Sequence, residues 1–302
     1  KAKPRNVVKQ FRKNVKYITV QVFQTVAELQ RHLLNISQLG KKMVGFIPTM
    51  GALHEGHLSL IRTSKAKSDI TVCSIFVNPT QFNDKKDFEK YPIQIDKDLE
   101  MLLEAHCDVV FVPTVEEIYP NGTLDRTTVD LGFIGKTLDG EHRPGHFEGV
   151  LQVVKRLLDI VQPDLLFLGQ KDYQQCMVLS KLVEHYQLPV KVEICDTLRE
   201  KEGLAMSSRN ARLNPEERAV SVKLSQALFY IRDHIKEQLV PEIIEQQLKL
   251  LSEEELIQVE YLTIVNGKTL EPVDLYQENT PLTALIAAKV GQVRLIDNVI
   301  IQ

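Results

Sequence analysis

Two histidines three residues apart, His54 and His57, lie where an apolar stretch of the sequence passes into helical spacing. The apolar run Met43 to Ile47 predicts a strand, while Leu58 and Ile61 are spaced for the buried face of a helix. The first N–H groups of a helix have no partner within it and carry the positive end of its dipole, so they bind anions. This arrangement predicts a binding site for nucleotide phosphates.

The glycines beside the histidines strengthen that prediction. Gly56, together with Gly51 at the end of a turn that starts at Pro48, removes side chains where a phosphate must approach the backbone. His54 and His57 add ring N–H donors, and positions three apart share one face of a helical turn. Both imidazoles are therefore expected to reach the same anion.

Two other interpretations of the histidine pair are a zinc site and an incidental surface turn. A zinc-protease motif needs histidines four residues apart, and Leu58 occupies the position that the second histidine would need. A capped surface turn with incidental histidines stays open, because so short a motif does not decide between the two interpretations.

The composition is typical of a soluble globular protein, with 302 residues, 43% hydrophobic and 25% charged, and a formal net charge of −3. Without a general basic surface, nucleic acid is not an expected partner. No apolar run approaches the roughly 20 residues that span a bilayer, and no secretory signal is recognised, so we expect no membrane partner and a cytoplasmic location. The four cysteines are scattered, which predicts reduced, buried thiols.

Strands and helices are predicted to alternate through most of the chain. This pattern predicts an α/β fold with a Rossmann-like, doubly wound parallel sheet over residues 1–197 and a second, smaller α+β domain over residues 198–302. Residues 1–16 hold seven Lys or Arg side chains and are predicted to form a solvated tail. Helices are predicted over 26–39, 96–106, 147–161, 173–185, 216–236 and 241–251, and strands over 43–47, 70–77, 108–112, 165–168, 190–195, 258–265, 284–290 and 293–301.

Polar residues follow several of the predicted strands, at the edge of the sheet where ligands bind in such folds. Gln81 follows the second strand, and its amide can both donate and accept hydrogen bonds. Lys171 precedes a predicted helix, where it opposes the helix dipole, and a bound phosphate would compensate for it. Asp172 suits a ribose hydroxyl, and Gln175, one turn on, is predicted to face the same cleft. An ordinary turn and solvated charges stay open as alternatives for these segments.

Two further clusters of polar residues lie over residues 142–149 and 207–209. Ser207, Ser208 and Arg209 place two hydroxyls and a guanidinium in succession, which suits phosphate oxygens. The run from His142 to Gly149 combines histidine, arginine and glycine before a helix and is expected to help shape the cleft. A plain polar loop is the alternative for the Ser-Ser-Arg cluster. Together, the polar clusters at the expected edge of the sheet favour a nucleotide enzyme over a noncatalytic fold.

These segments resemble those of the pantothenate synthetase family, in the family's order, from about Val20 to the end of the chain. The matching segments are Pro-Thr-Met-Gly-Ala-Leu-His-Glu-Gly-His, Phe-Val-Asn-Pro-Thr-Gln-Phe, Arg-Pro-Gly-His-Phe, Gly-Gln-Lys-Asp-Tyr-Gln-Gln and Gly-Leu-Ala-Met-Ser-Ser-Arg-Asn. The family is one of the nucleotidyltransferases that share the His-x-Gly-His signature, and its Met-Ser-Ser-Arg segment resembles the Lys-Met-Ser-Lys-Ser loop of class I aminoacyl-tRNA synthetases.

The resemblance implies ATP-dependent condensation of (R)-pantoate with β-alanine, giving pantothenate, AMP and diphosphate through a pantoyl adenylate. It also implies Mg²⁺ and a homodimer. The implied catalytic residues are His54, His57, Lys171, Ser207, Ser208 and Arg209, with Gln81 and Gln175 binding pantoate and Gln81 also near β-alanine. The implied ATP-binding residues are Met50, Gly51, Ala52, Leu53, His54, Glu55, Gly56, His57, Gly169, Gln170, Lys171, Asp172, Leu198, Met206, Ser207, Ser208 and Arg209. The charge of the two histidines stays open, because the helix dipole and a triphosphate shift it in opposite directions.

The sequence departs from the family's pattern at the expected metal site. The family often carries adjacent acidic residues there, and here the stretch reads Asp96-Lys97-Asp98. Asp98 is the expected Mg²⁺ ligand, but Lys97 leaves open that ATP phosphates and water hold the ion instead. Gln170 likewise stands where a charged residue is common, a change expected to matter less.

Two alternative functions are carried forward. A nucleotidyltransferase that passes AMP or CMP to a phosphorylated acceptor shares the histidine motif but does not account for Gln81 and Gln175 together. A noncatalytic nucleotide-binding or scaffold protein leaves the ordered polar clusters without a purpose.

Overall fold

The computed structural model describes residues 8–11, 18–82, 88–123 and 127–301. The chain forms two compact units whose segments alternate along the sequence. The first unit contains Lys1–Asp130, Arg143–Gly169 and Val178–Cys195, and the second contains Leu131–His142, Gln170–Met177 and Asp196–Gln302. The boundary between residues 197 and 198 stays a prediction, and the second unit also takes in two segments that precede it.

The strands of the first unit form one sheet. They are β1 (Val8–Phe11), β2 (Ile18–Phe23), β3 (Val44–Thr49), β4 (Ile70–Ile75), β5 (Val109–Phe111), β6 (Leu165–Gly169) and β7 (Lys191–Cys195). Their order in the sheet is β1-β2-β5-β4-β3-β6-β7. Strands β2 to β7 are parallel to their neighbours, and β1 pairs antiparallel with β2 at the edge. The Rossmann-like parallel sheet is therefore confirmed.

Helices follow the strands as predicted. In the described residues they are α1 (Val26–Gln38), α2 (Glu55–Lys67), α3 (Ile95–Glu104), α4 (Val115–Ile118), α5 (Asp139–His142), α6 (His146–Val161), α7 (Tyr173–His185), α8 (Pro215–His234) and α9 (Val240–Ser252). Ile61 of α2 and Leu102 of α3 are fully buried, in one cluster with Ile47 and Phe167 of the sheet. This burial of one face per helix fixes α2 and α3 on the sheet. Of the described helices, none combines the length and the apolar character that crossing a bilayer requires.

The sequence-based elements differ from the structure at the start of the sheet. Strands β1 and β2 were not predicted, and Val8–Phe11 form β1 within the predicted tail; the rest of that tail, residues 1–7 and 12–16, lies outside the described residues. Pro48 lies within β3, although a turn was predicted there. A proline has no N–H to donate, and β6 pairs with β3 only at Gly45 and Phe46, so the ladder loses no bond to β6 at Pro48.

The second unit holds a separate antiparallel sheet. Its strands are β8 (Ile257–Asn266), β9 (Leu282–Val290) and β10 (Val293–Ile301), in the order β10-β9-β8. A register shift between Val259 and Tyr261 interrupts the pairing of β8 with β9. The core of this unit joins buried residues of α8 and α9, such as Leu228 and Ile243, to the sheet. The predicted smaller α+β domain is confirmed.

Candidate active site

A strained turn links β3 to α2 and carries the histidine motif. Gly51 has φ +78° and Ala52 has φ +50°, both in the left-handed region. A Cβ at Gly51 would lie 2.9 Å from Asp98 Oδ2, so only glycine fits there without displacement. The backbone N–H of Ala52 donates to Asp98 Oδ2 at 2.9 Å, and that of Leu53 donates to Asp98 Oδ1 at 2.8 Å. A single carboxylate from α3 therefore fixes the turn.

Asp98 has a structural role in addition to the predicted one of Mg²⁺ ligand. The residue is 0% exposed, and each of its oxygens accepts a backbone hydrogen bond from the turn. Within the described ranges, no group of three or more His, Cys, Asp or Glu side chains could hold a metal, so a cluster of protein ligands is not found there. The contacts show Asp98 positioning the histidine turn, and its role as a Mg²⁺ ligand stays a prediction.

The two histidines hold each other at the first turn of α2. His54 is the N-cap residue, and its Nδ1 accepts from Gly56 N at 3.1 Å. His57 Nδ1 accepts from His54 N at 3.4 Å, which completes a capping box, and the ring centroids are 4.1 Å apart. An Nδ1 that accepts a hydrogen bond carries no proton, so the geometry assigns the proton of each neutral ring to Nε2. The cap thus fixes the tautomer of both rings.

The cap also changes which donors this helix start presents. The N–H of Gly56 donates to the His54 ring, and the N–H of His57 donates to His54 O at 2.8 Å. Phosphate binding was predicted for backbone N–H groups and ring N–H groups together. In this geometry the N–H groups of Gly56 and His57 are used within the cap, and donation to a phosphate by the imidazole rings stays a prediction.

Gln81 is held in a buried polar network of the first unit. It ends the short 3-10 turn Pro79–Gln81, is 8% exposed, and directs Nε2 at Met50 Sδ, 3.0 Å away. Its Oε1 accepts from Asn78 Nδ2 at 3.1 Å, and Asn78 Nδ2 also donates to Gly149 O. The structure therefore brings Gln81 against Met50, as expected for two residues of one pocket.

Asn78 and Tyr119 are residues of this network for which the sequence analysis assigned no role. Asn78 Oδ1 accepts from Tyr119 OH at 2.9 Å and caps the 3-10 turn by accepting from Thr80 N. Burial raises the pKa of Tyr119, so its hydroxyl stays protonated and donates. Gly149 of α6 allows close packing, because a Cβ there would lie 2.3 Å from Thr80 O. The Asn-Pro pair gave a signal for the turn, but nothing in the sequence indicated Tyr119.

The predicted His142 to Gly149 cluster contributes to the same network. His146 Nδ1 lies 2.9 Å from Gln81 O, and Arg143 Nη1 lies 3.0 Å from His146 Nε2. His146 is 6% exposed and begins α6. The shaping role predicted for this cluster therefore has a specific form, since His146 holds the backbone of Gln81.

Lys171 lies in the second unit, in the 3-10 turn Gln170–Asp172 that precedes α7. Its Nζ lies 3.6 Å from Asp172 Oδ1, and its side chain is 17% exposed against 49% for Asp172. Asn298 of β10 donates from Nδ2 to the carbonyl oxygens of Gln170 and Lys171, each at 2.9 Å. The sequence gave no signal for Asn298, which is 127 residues from Lys171.

The Ser-Ser-Arg segment also belongs to the second unit. Ser207 is the N-cap of a 3-10 helix over Ser208–Arg212, and its Oγ accepts from Arg209 N at 3.2 Å. Upstream, Met206 N donates to Leu198 O at 3.0 Å, so the residues on either side of this hairpin are paired. The segment is thus an ordered turn, and its predicted role in phosphate binding stays a prediction.

The two adjacent glutamines of α7 have different surroundings. Gln174 is 5% exposed; its Nε2 donates to Ile134 O and Thr137 O, and its Oε1 accepts from Asp139 N. Gln175 is half-buried. Gln174 is therefore structural, and Gln175 is the one of the pair suited to contact a ligand.

The predicted site residues divide between the units. The first unit contains Met50, Gly51, Ala52, Leu53, His54, Glu55, Gly56, His57, Gln81, Asp98 and Gly169, and the second contains Gln170, Lys171, Asp172, Gln175, Leu198, Met206, Ser207, Ser208 and Arg209. Within each unit these residues lie at the end of a strand, in the turns between elements or in the first turn of a helix.

Comparisons with known proteins agree on one family. The family model described as pantoate-beta-alanine ligase matches residues 21–300. A pantothenate synthetase of Cytophaga hutchinsonii is 43% identical over 281 residues, covering 92% of this chain and 99% of that protein. A pantothenate synthetase structure from Thermus thermophilus superposes with a TM-score of 0.86 at 38% identity, covering 92% of this chain and 98% of that one.

A second similar structure is a complex with ligands. It is the pantoate-beta-alanine ligase of Francisella tularensis, complexed with beta-gamma ATP and beta-alanine. It is 34% identical with a TM-score of 0.75, and covers 92% of this chain and 96% of that one. The family match and the relatives extend over most of both units. The chain belongs to the pantoate–β-alanine ligase family.

Proposed function

We propose that this chain condenses (R)-pantoate with β-alanine through a pantoyl adenylate, using ATP, in the cytoplasm and as a homodimer. As a member of its family, the chain is a ligase that forms an amide bond. The single observation that carries the proposed mechanism is the histidine capping box, which fixes two imidazole rings at a helix start with their protons on Nε2.

The histidines act on the leaving group in the first step. The pantoate carboxylate oxygen attacks the α-phosphorus of ATP, and the bond from that phosphorus to the bridging oxygen of diphosphate breaks. His54 and His57 donate from Nε2 to the phosphate oxygens, whose negative charge grows as diphosphate leaves. Neutral rings suit this role because they donate a hydrogen bond without having to transfer a proton to the leaving diphosphate.

Residues of the second unit complete the phosphate contacts. Lys171, Ser207, Ser208 and Arg209 bind the triphosphate, the lysine and arginine by charge and the serines by hydroxyl donation. Gly169 and Asp172 contact the ribose, and Gln170, Leu198 and Met206 line the nucleotide site. Mg²⁺ bound together with the ATP phosphates would offset the charge that grows on the leaving diphosphate, while Asp98 holds the turn that carries the histidines.

The acyl transfer follows in the second step. The amine of β-alanine attacks the carbonyl carbon of the adenylate, a C–N bond forms, the C–O bond to AMP breaks, and the amine releases a proton to solvent. Gln81 and Gln175 bind pantoate, and Gln81 also lies near β-alanine. The network of Asn78 and Tyr119 holds the carboxamide of Gln81 for this purpose.

The fate of the carboxylate oxygen tests this mechanism. With pantoate labelled by ¹⁸O in its carboxylate, one labelled oxygen is expected in AMP, because the adenylate bond retains it when β-alanine attacks the carbon. Mass spectrometry of AMP and inorganic phosphate measures the label. Unlabelled AMP, or formation of ADP with label in phosphate, would contradict an adenylate and point to an acyl phosphate.

A further inference from the structure

Two segments of the second unit are held by neighbouring residues of β10. One is the 3-10 turn Gln170–Asp172, which carries Lys171, and the other is the hairpin over residues 198–206, which leads into the Ser-Ser-Arg segment. Asn298 contacts both segments, and Asp297 binds Arg199 of the hairpin; the two β10 residues are 1% and 5% exposed. Together with Arg199 of the hairpin, we call these residues the β10 clamp.

Asn298 uses its whole carboxamide on the 3-10 turn. Its Nδ2 donates to the carbonyls of Gln170 and Lys171, and its Oδ1 accepts from Gln170 Nε2 at 3.0 Å. Carbonyl oxygens repel a polyanion, so bonding both of them to Asn298 keeps the negative ends of these dipoles away from a phosphate. The turn then offers the ammonium of Lys171 without opposing dipoles beside it.

Arg199 connects the hairpin to the same strand. Its guanidinium binds Asp297 in bidentate fashion, with Nη1–Oδ2 at 2.5 Å and Nη2–Oδ1 at 2.9 Å, and Nη2 also donates to Asn298 O at 3.1 Å. Nη1 donates to Gly203 O within the hairpin, and the guanidinium lies 4.8 Å from the ring centroid of Phe229. The arginine is thereby fixed from three sides.

The carboxylate of Asp297 interacts electrostatically with both Arg199 and Lys171. Burial raises the pKa of Asp297, and the positive charges of Arg199 and Lys171 oppose that rise. Asn298 N also donates to Asp297 Oδ1 at 2.7 Å. The one buried carboxylate of the clamp is therefore shared between the hairpin and the neighbourhood of Lys171.

We propose that Arg199, Asp297 and Asn298 are positioning residues that couple the Lys171 turn to the Ser207–Arg209 segment, so that both meet the triphosphate in a fixed spacing. The proposal rests on the phosphate-binding roles proposed above. None of the three residues needs to touch the nucleotide; they act through the segments they hold. Holding two ligand segments by one buried array reduces the ordering that ATP must impose when it binds.

A double-mutant cycle on nucleotide affinity tests the coupling. Calorimetry with the full chain, Mg²⁺ and a nonhydrolysable ATP analogue gives the dissociation constant without requiring turnover. Asn298→Ala is expected to weaken binding about tenfold, the size of one or two lost hydrogen bonds. In chains that already carry Lys171→Ala or Arg209→Ala, the same change is expected to weaken binding clearly less than tenfold, because one of the two ligand segments whose spacing it fixes no longer contributes.

A matched control separates positioning from general destabilisation. Asn266 also holds a turn of the second unit, by accepting from Lys268 N at 2.8 Å and Thr269 N at 3.3 Å, and Asn266→Ala is expected to leave analogue affinity unchanged. If Asn298→Ala fails to fold, Asn298→Asp, which keeps the shape and loses the two donors, replaces it in the cycle.

The outcomes distinguish the two proposals. An equal loss of affinity in all three backgrounds, or no loss in a folded Asn298 variant, would overturn the clamp while leaving the proposed function in place. A wild-type chain that does not bind the analogue would overturn the proposed phosphate site itself, and the clamp with it.

Discussion

The histidine turn of the first unit and the Lys171 turn of the second are stabilised in opposite ways. Asp98 accepts backbone N–H groups of Ala52 and Leu53, whereas Asn298 donates to backbone carbonyls of Gln170 and Lys171. In the first turn, His54 and His57 also hold each other through the capping box. In the second turn, Lys171 depends on Asn298, which belongs to the distant strand β10.

This difference determines which functional residues can be recognised from the sequence. A capping box needs neighbours three residues apart, so its residue types and spacing are visible locally. Asn298 of the β10 clamp contacts Lys171 across 127 residues of sequence, so no local sequence pattern indicates the contact. Substitutions should therefore show separate signatures: loss of chemistry at the first turn, and loss of positioning at the second.

The largest effect is expected from the histidines. His54→Ala or His57→Ala is expected to lower kcat about 10²- to 10³-fold, the usual cost of losing one donor to a growing negative charge. The thermal midpoint should fall only slightly, since an N-cap contributes about 1 kcal/mol. Steady-state kinetics and a melting curve measure the two effects, with the variant His185→Ala, at an exposed position, as control.

If the thermal midpoint of the histidine variants fell as severely as kcat, the result would contradict the contrast between the two turns. The two rings would then be parts of a structural cap, like the incidental surface turn that the short motif left open. Retention of turnover in His185→Ala confirms that removal of an imidazole from another helix has no such effect.

An intermediate effect is expected at Gln81, which is held by both near and distant residues. Gln81→Ala should raise KM for pantoate about tenfold or more, and Asn78→Ala by less, because it loosens the carboxamide without removing it. Tyr119→Phe, which removes one donor to Asn78, should raise KM for pantoate least of these three variants. Steady-state titration with pantoate measures the series. An Asn78 variant more severe than the Gln81 variant in KM would indicate that Asn78 contacts substrate itself.

The smallest catalytic effect is expected at Asp98. Asp98→Asn should cost about 1–3 kcal/mol of stability, since a buried backbone N–H loses its acceptor, and kcat should fall less than in the histidine variants. The same variant tests the predicted role of Mg²⁺ ligand: a lost ligand would raise the Mg²⁺ concentration for half-maximal rate, and a role in the turn alone would leave it unchanged. Chemical denaturation and a Mg²⁺ titration measure the two expectations. A large rise in the Mg²⁺ requirement without loss of stability would support Asp98 as a metal ligand and contradict its role in the turn.

Much of the fold was predictable from periodicity. Strands buried on both faces read as apolar runs, and the helices between them show one apolar face, so the parallel sheet and the later α+β region follow. β1 was missed because it lies within the dense run of lysine and arginine. β2 lies after that run and alternates apolar and polar residues over Ile18–Val22, a strand pattern that the prediction did not use. Pro48 was placed in a turn, since only the short pairing of β6 with β3 explains a proline in a central strand.

The site was predictable where residues act on their neighbours in sequence. Residue types and spacing predicted roles for the histidine pair, Lys171 and the Ser-Ser-Arg segment, and the structure contains ordered turns at all three. The family resemblance singled out Asp98 as a Mg²⁺ ligand, and only the structure reveals its contacts with the backbone 45 and 46 residues earlier. Asn298 and Tyr119 were not identified at all, because their partners lie far along the chain.

Isotope exchange tests the central claim most directly, namely that the histidine turn serves adenylate formation. The chain is incubated with ATP, Mg²⁺, pantoate and labelled diphosphate, with β-alanine left out, and incorporation of label into ATP is followed. Wild-type protein is expected to exchange label only when pantoate is present, and His57→Ala is expected to exchange it at least about 10²-fold more slowly. No pantoate-dependent exchange in folded wild-type protein, or undiminished exchange in His57→Ala, would contradict the account.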